Sequence, residues 1–432
     1  MAADAPVRDD AWAFAGENAA DLGAAITRLL RSLPARPRLL GLGEAMHGEE
    51  TLPRLRNEVF RHLVEHEGYR SIALESDCLA GLTVDAYVTE GVGELDDVVR
   101  RGLSHGSGEL ESSRELVRWM REHNQDRPAS DRVRFFGFDG PFEMTGPDSP
   151  RRALTALHGY LAAHVEIELL PYTVGTIDHL VGSDDRWSDP AVTMDPSLSV
   201  GLSADAGELR LIADDLLALL TAESPRLIRA TSREDWWRAN LHGRTATGLL
   251  RYHAVMADTS EARMVRLMGL RDAMMADNLL AIAERERQAR RGPTLVHAHN
   301  RHLQRDESLW LLPPGWGPLE GRTLKWWSAG AVVAARLGDE YAFVASALGA
   351  ATHQGLDAPE PDTLEGILST LPGNRYVVDS ASLAGALGAT GTEPAPRTGT
   401  SANHSYFPLD PGQLRETDGL LFVKHVAPGP DS

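Results

Sequence analysis

The sequence predicts an α/β protein: a mainly parallel central sheet flanked by helices, with a large helical insertion forming a cap over the cleft. Three observations carry this prediction. Short apolar or β-branched runs end abruptly in polar residues and are followed by helical periodicity, the pattern of strand-then-helix units. From Pro150 to about Arg290 the pattern changes to long helical stretches with no convincing strand. The composition, 42% hydrophobic and 24% charged with both signs interspersed, is that of a globular chain rather than a disordered one.

In chain order, the strand runs are RLLGLGE ending at Glu44, SIALES carrying Glu75, VRFFGFD ending at Asp139, TLVHAHN ending at Asn300, YAFVASAL ending at Leu348, RYVVDS ending at Ser380 and GLLFV ending at Val423. Between the first two, Leu52, Leu55, Val59, Phe60 and Leu63 fall at helical spacing before a terminating Gly68, so a βαβ unit is expected there. The insertion consists of RRALTALHGYLAAHV, AGELRLIADDLLALL and ARMVRLMGLRDAMMADNLLAIAERERQARR, interrupted by the turn-rich HLVGSDDRWSDPAVTMDPSLS. EPAPRTGTSANHSYF reads as a further loop. The expected organisation is 1–149 for the first part of the α/β core, 150–290 for the helical insertion and 291–432 for the rest of the core.

At 432 residues the chain suits one large domain or two modest ones. A formal net charge of −19 argues against a nucleic-acid partner and against anionic membranes, both of which are gripped by surplus Lys and Arg. The single cysteine, Cys78, excludes an intrachain disulfide and leaves too few ligands for a cysteine zinc site or an iron–sulfur cluster. No run approaches the ~20 apolar residues of a membrane span. MAADAPVRDDAWAF lacks the basic start and apolar run of a signal peptide, so a soluble, cytoplasmic protein is expected. No P-loop occurs, GLGEAMHG lacks dinucleotide glycine spacing, and no GxSxG elbow is present, which argues against a serine hydrolase of the usual α/β type.

In open α/β sheets ligands bind beyond the carboxyl ends of the strands. Four such ends carry titratable residues: Glu44 with His47 in GLGEAMHGEE, Glu75, Asp139, and His299 with His302 in VHAHNRHLQR. If the strands are neighbours, carboxylates and imidazoles meet in one crevice, a set suited to proton transfer. A carboxylate beside a histidine orients the ring and stabilises its cation, making a base for water or a hydroxyl. The structural alternative makes His47 a residue at a helix N-terminus, ahead of Glu49 and Glu50 in the first turn. Glu75, straight after an apolar run, is expected to be partly desolvated, which raises a carboxylate's pKa. Asp139 in FGFDG reads as a structural residue bonding nearby backbone. His297 and His299 alternate along a strand and share a face, which fits either two metal ligands joined by Glu44 or Glu75, or a hydrogen-bonded core histidine at 297. Arg56 and Arg271 have the chemistry to bind a substrate oxygen or hold a carboxylate such as Glu75. On spacing alone, both arginines read as surface ion pairs. The Trp236–Trp237 and Trp326–Trp327 pairs read as core.

Taken together and in this order, GLGEAMHGEE, the glutamate of SIALES, FFGFDG, RDAMMADN and VHAHNRHLQR resemble the erythromycin esterase family, from about Leu39 to the closing DGLLFV. The resemblance implies an α/β core with a helical insertion and a deep cleft. It also implies hydrolysis of an ester or macrolactone of a polyketide-like natural product without a serine or cysteine nucleophile; the leading expectation adds that no metal and no cofactor is used. By motif matching, His47 is the general base for water and Glu44 its partner. Glu75, His299 and His302 are further catalytic positions, and Arg56 and Arg271 bind substrate. Met46 stands where the family often has a small or hydroxyl residue, and the insertion shows no readable match to macrolide specificity. The catalytic apparatus therefore transfers better than the substrate. Non-hydrolytic tailoring chemistry on the same residues, a binding protein without turnover and a metallohydrolase stay open, as does which histidine is the base. The expected partner is a small natural product, and the sequence does not set the oligomeric state.

Overall fold

The computed structural model describes residues 12–143, 146–312, 314–315, 319–398 and 405–428. The N-terminal 1–11 and residues 399–404 of the second turn-rich loop lie outside them. Eight strands form one sheet: β1 (Ala13–Ala15), β2 (Leu39–Glu44), β3 (Ser71–Asp77), β4 (Arg134–Asp139), β7 (Thr294–His299), β10 (Tyr341–Ala350), β11 (Arg375–Asp379) and β12 (Gly419–His425). Their spatial order is β1-β11-β12-β10-β2-β7-β3-β4, with the β1–β11 and β11–β12 pairs antiparallel and the rest parallel. Two short hairpins, β5 (Phe142–Glu143) with β6 (Gly146–Pro147) and β8 (Glu307–Leu311) with β9 (Thr323–Trp327), stand apart from it.

All seven expected strand runs enter the sheet. The expected βαβ unit is corrected in one respect: β2 and β3 are not neighbours, because β7 lies between them and pairs with both. The chain runs from β2 outward to β3 and β4, then returns more than 150 residues later to fill the gap. This reversal of strand order is a switch point, where the carboxyl ends of adjacent strands diverge and leave a crevice.

The strands bury both faces, so they read as near-continuous apolar runs. One face carries Leu40, Leu42, Ile72, Leu74 and Leu295 against α1 (Ala19–Ser32), α2 (Thr51–His66), α3 (Gly81–Glu90), α4 (Leu95–Gly102) and α5 (Glu111–Asn124). Leu52, Leu55, Val59, Phe60 and Leu63 form the buried stripe of α2, as their spacing requires. The other face carries Ala73, Val296, Phe343 and Ala345. Residues 151–288 supply α6 (Arg151–His164), α7 (Val174–Val181), α8 (Ala204–Ala222), α9 (Ser224–Ala230), α10 (Arg233–Met256) and α11 (Arg263–Gln288). The cluster of that second face includes residues of each of these helices, and α11 packs directly on β4. After β7 come α12 (Asn300–Leu303), α13 (Ala329–Leu337), α14 (Leu364–Leu368) and α15 (Ser380–Thr390). Among the described residues, no helix is long and apolar enough to cross a membrane.

The centre of the sheet is stitched by side chains at the strand ends. The Asn300 amide spans to β10, where Nδ2 donates to the Ser346 carbonyl (2.8 Å) and Oδ1 accepts from the Ser346 N–H (3.0 Å). It can do so only by crossing Gly43, where an added Cβ would lie 1.9 Å from Asn300 Oδ1. Gly43→Ala is therefore expected to destabilise the fold by roughly 1–3 kcal/mol, the usual cost of overpacking. A lowered urea midpoint checks this, and a wild-type midpoint would show that the Asn300 bridge gives way freely.

Candidate active site

Past β2 the chain buries Ala45 and Met46, exposes His47, turns through Gly48 at φ +73° and enters α2. The paired acids of the GEE segment do different things. Glu49 accepts from the Thr51 N–H at the start of α2 (3.2 Å), whereas Glu50 reaches across to the first turn of α5 and accepts from the N–H groups of Glu111 (2.7 Å) and Ser112 (3.2 Å). The second contact fixes α5 against α2 by giving acceptors to orphan donors at a helix start.

The register Glu44↔His299 and Leu74↔His297 places β7 histidines between the carboxylates of β2 and β3. His47 Nδ1 meets Glu44 Oε2 at 3.0 Å, and its Nε2 lies 3.9 Å from Glu75 Oε2. Both carboxylates therefore flank one ring. Glu75 Oε2 also accepts from the His299 N–H (2.8 Å), while Oε1 takes Arg271 Nη2 (3.2 Å) and faces His302 Nε2 (3.4 Å). The β3–β4 pairing shifts register between Leu74 and Asp77, a local irregularity that brackets Glu75.

Behind Glu75 lies a second layer. Arg271 Nη2 and Nε bond Asp139 Oδ2 at 2.6 and 3.0 Å, and Asp139 Oδ2 also meets His105 Nε2 at 3.0 Å. Asp139 keeps the backbone bond expected of it, accepting from Gly140 N–H (2.7 Å), but it is fully buried and also holds the Arg271 guanidinium and the His105 ring. His302 Nδ1 lies 2.5 Å from Asp272 Oδ1, and the other oxygen of Asp272 accepts from Trp326 Nε1 (2.7 Å). The surface ion pairs expected from spacing at Arg56 and Arg271 are overturned, because helix faces turned to the sheet bury both. Arg56 gives Nε and Nη2 to Asn57 Oδ1 (3.1 and 2.9 Å), and Asn57 is anchored on the Ser112 carbonyl (2.7 Å).

The electrostatics follow from this geometry. Burial pushes the Glu75 carboxyl up, as its sequence position suggests, but His302, His47 and Arg271 outweigh burial and hold it well below the usual range. Although the His47 ring is part-exposed at the crevice mouth, the protein packed around it opposes its charge; the bond to Glu44 and the charge of Glu75 prevail and raise it to about 9. His302, pressed between Asp272 and Glu75, is raised against the same burial penalty. His299 is the contrast. Its Nδ1 accepts from the Arg301 N–H (3.1 Å), so its Nε2 carries the proton and donates to the Ser405 carbonyl (2.9 Å). Burial, followed by the His47 charge, holds this ring well below the ordinary imidazole value.

The crevice has a volume of about 180 Å³ and is lined by Glu44, His47, Arg56, Glu75, His105 and His297, together with backbone and small residues from β3, β7 and the segment leading into α5. Ser405 ties down the backbone of His47, its hydroxyl accepting from the His47 N–H (2.9 Å). Arg271, His299 and His302 support the crevice without lining it. From the helical insertion, Arg271 and Asp272 of α11 reach this cluster through the far face of the sheet. The sequence reading missed His105 and Asp272. The former sits in the left-handed region at φ 57°, unusual for a residue with a Cβ, and its one signal is the turn-forming SHGSG around it. Among the described residues, no three His, Cys, Asp or Glu side chains are grouped to hold a metal ion. His297 and His299 do share a strand face, but they bond different backbone carbonyls, of Leu42 and Ser405.

Replacing Glu75 by Gln removes a charge that faces His47. The His47 pKa is expected to fall from about 9 toward the ordinary imidazole value, read from ring resonances in a pH titration. An unchanged midpoint would show that the ring does not feel Glu75.

The comparisons with known proteins agree with this architecture. No curated protein matches the sequence. Three solved structures share the fold: a protein from Bacillus cereus (18% identity, TM-score 0.70, covering 95% of this chain and 93% of the other), a succinoglycan biosynthesis protein (16%, 0.63, 94% and 91%), and a histidine-to-asparagine mutant of the erythromycin esterase EreC in its open conformation (17%, 0.64, 96% and 96%). The family model for erythromycin esterase matches residues 64–426, most of the chain though not the segment bearing Glu44 and His47. The chain belongs to the erythromycin esterase family.

Proposed function

We propose that this protein hydrolyses an ester or lactone of a polyketide-like small molecule with water activated by His47, using neither a metal nor a serine or cysteine nucleophile. The observation that carries the reading is the placement of His47 Nε2 at the crevice, with Nδ1 committed to Glu44 and Glu75 opposite. Of the histidines around Glu75, His299 has both nitrogens bonded as a neutral ring and His302 is clamped between two carboxylates. His47 is the one among these three that lines the crevice.

In the free protein His47 carries a proton that faces Glu75. Once this proton is lost, Nε2 accepts one from water as the water oxygen attacks the carbonyl carbon. The tetrahedral oxyanion is stabilised by the buried guanidinium of Arg56, the arginine that lines the crevice. Collapse breaks the carbon–oxygen bond to the alcohol, and His47 returns its proton to the departing oxygen, leaving acid and alcohol. Glu44 fixes the ring's tautomer and orientation, and Arg271 and His302 keep Glu75 ionised. In this account Arg271 positions a carboxylate and does not touch substrate. The crevice is smaller than the ~300–1,000 Å³ of sites that enclose a drug-sized ligand. It takes the reacting ester and the atoms near it, and the rest of a large molecule lies outside.

The test is turnover of a panel of macrolides and simple lactones in ¹⁸O-labelled water, with wild type and His47→Ala side by side. One labelled oxygen in the acid product is expected, with a rate loss of about 10²–10⁴ in the variant, the range for removal of a general base. A product that depends on His47 but carries no label would replace hydrolysis with acyl transfer, cyclisation or rearrangement.

A further inference from the structure

The layer between the sheet and α2 and α5 is largely apolar, along Leu40, Leu42, Ile72, Leu74 and Leu295, and β7 sets His297 into it. Its ring Nδ1 lies 2.9 Å from the Leu42 carbonyl, which can only accept, so Nδ1 holds the proton and Nε2 the lone pair. Nε2 is buried and has no hydrogen-bond partner among the described residues. Across the layer, Ser113 of α5 is also buried, and its Oγ is likewise without a partner there. Both residues line the crevice that holds His47, and so does Arg56. Burying a polar atom with nothing to bond costs about 1–3 kcal/mol. Two such buried atoms, on residues that line one crevice, form a polar floor just beneath its surface, which a small movement of either side chain brings into it.

We propose that Arg56, Ser113 and His297 form a subsite for an uncharged hydroxyl group of the substrate, close to the ester that His47 attacks. The ligand's O–H donates to His297 Nε2, and its oxygen accepts from Ser113 or Arg56. Charge and hydrogen count select this group. A carboxylate would meet the His297 lone pair and the Glu44 and Glu75 charges, an ammonium would meet Arg56, and an ether or ketone has no hydrogen for Nε2. Burial, together with the charge of Arg56, keeps the His297 ring neutral and an acceptor across the working pH range. The proposal rests on the esterase reading and gives it a specificity element: a site built to bond a hydroxyl discriminates against the analogue lacking it.

The experiment titrates ¹⁵N-histidine-labelled His47→Ala protein with γ-butyrolactone and with its 2-hydroxy and 3-hydroxy derivatives. The ring resonances are followed, and wild-type turnover of the same lactones is measured separately. At least one hydroxylactone is expected to bind about tenfold more tightly than the parent and to shift the His297 Nε2 resonance, within the range of one neutral hydrogen bond. Adding His297→Leu, which suits the surrounding leucine layer, or Ser113→Ala should erase that preference. Equal binding of all three lactones, no binding of the hydroxylactones, or a preference that survives His297→Leu would overturn the subsite. Hydroxyl-selective binding without wild-type turnover would sink the hydrolase reading and leave the subsite standing, and turnover without selectivity would do the reverse.

Discussion

The site depends on the ionised carboxylate of Glu75. It bonds the backbone of β7 and the guanidinium of α11, pairs with the ring of His302 at 3.4 Å and faces His47 from 3.9 Å. A buried carboxylate is costly unless its lone pairs are satisfied and its charge is matched. Here a backbone N–H and three cationic side chains do both. Removing it would leave Arg271 with Asp139 but deprive His47 and His302 of a shared counter-charge. Glu75 thus links the strand order to the protonation of the crevice. It can be the hub only because β7 lies beside β3 and delivers His299 and His302 to it.

The same fold assigns different states to chemically identical rings. Carboxylates raise His47 and His302, whereas burial, followed by the charge of Arg56 on one ring and of His47 on the other, keeps His297 and His299 neutral. The difference follows from position along β7. His297 and His299 bond carbonyls of neighbouring segments, while His302, a turn further on, reaches the carboxylates of Glu75 and Asp272. Tautomers fixed in this way let one ring exchange protons with solvent at the crevice while its neighbours hold theirs.

Much of this was legible in the sequence because apolar runs and strand-end titratable residues are local signals. The seven long strands, the α2 stripe and the convergence of Glu44, His47, Glu75, His299 and His302 follow from them. What stayed hidden depends on distant pairing. Nothing near SIALES says that β7, over two hundred residues later, separates it from β2, and nothing in RDAMMADN says that its arginine faces the sheet. Asp272 adjoins Arg271 in sequence, but its role appears only once His302 and Trp326 meet it. The three-residue β1 is too short for periodicity to show, and the alternation of TLKWW, with Leu324 and Trp326 buried, went unread beside a Gly- and Pro-rich connection.

The central claim is that His47, made a cation by Glu44 and Glu75, acts by losing its proton. The most direct test is the pH dependence of kcat/KM for a lactone that the wild type hydrolyses. With a folded-state pKa of about 9, the neutral form is scarce at neutral pH and grows as pH rises. The rate constant should climb roughly tenfold per pH unit below the midpoint and level off above it. A profile that is flat or falls through this interval would mean that His47 works in its protonated form, and would contradict the account.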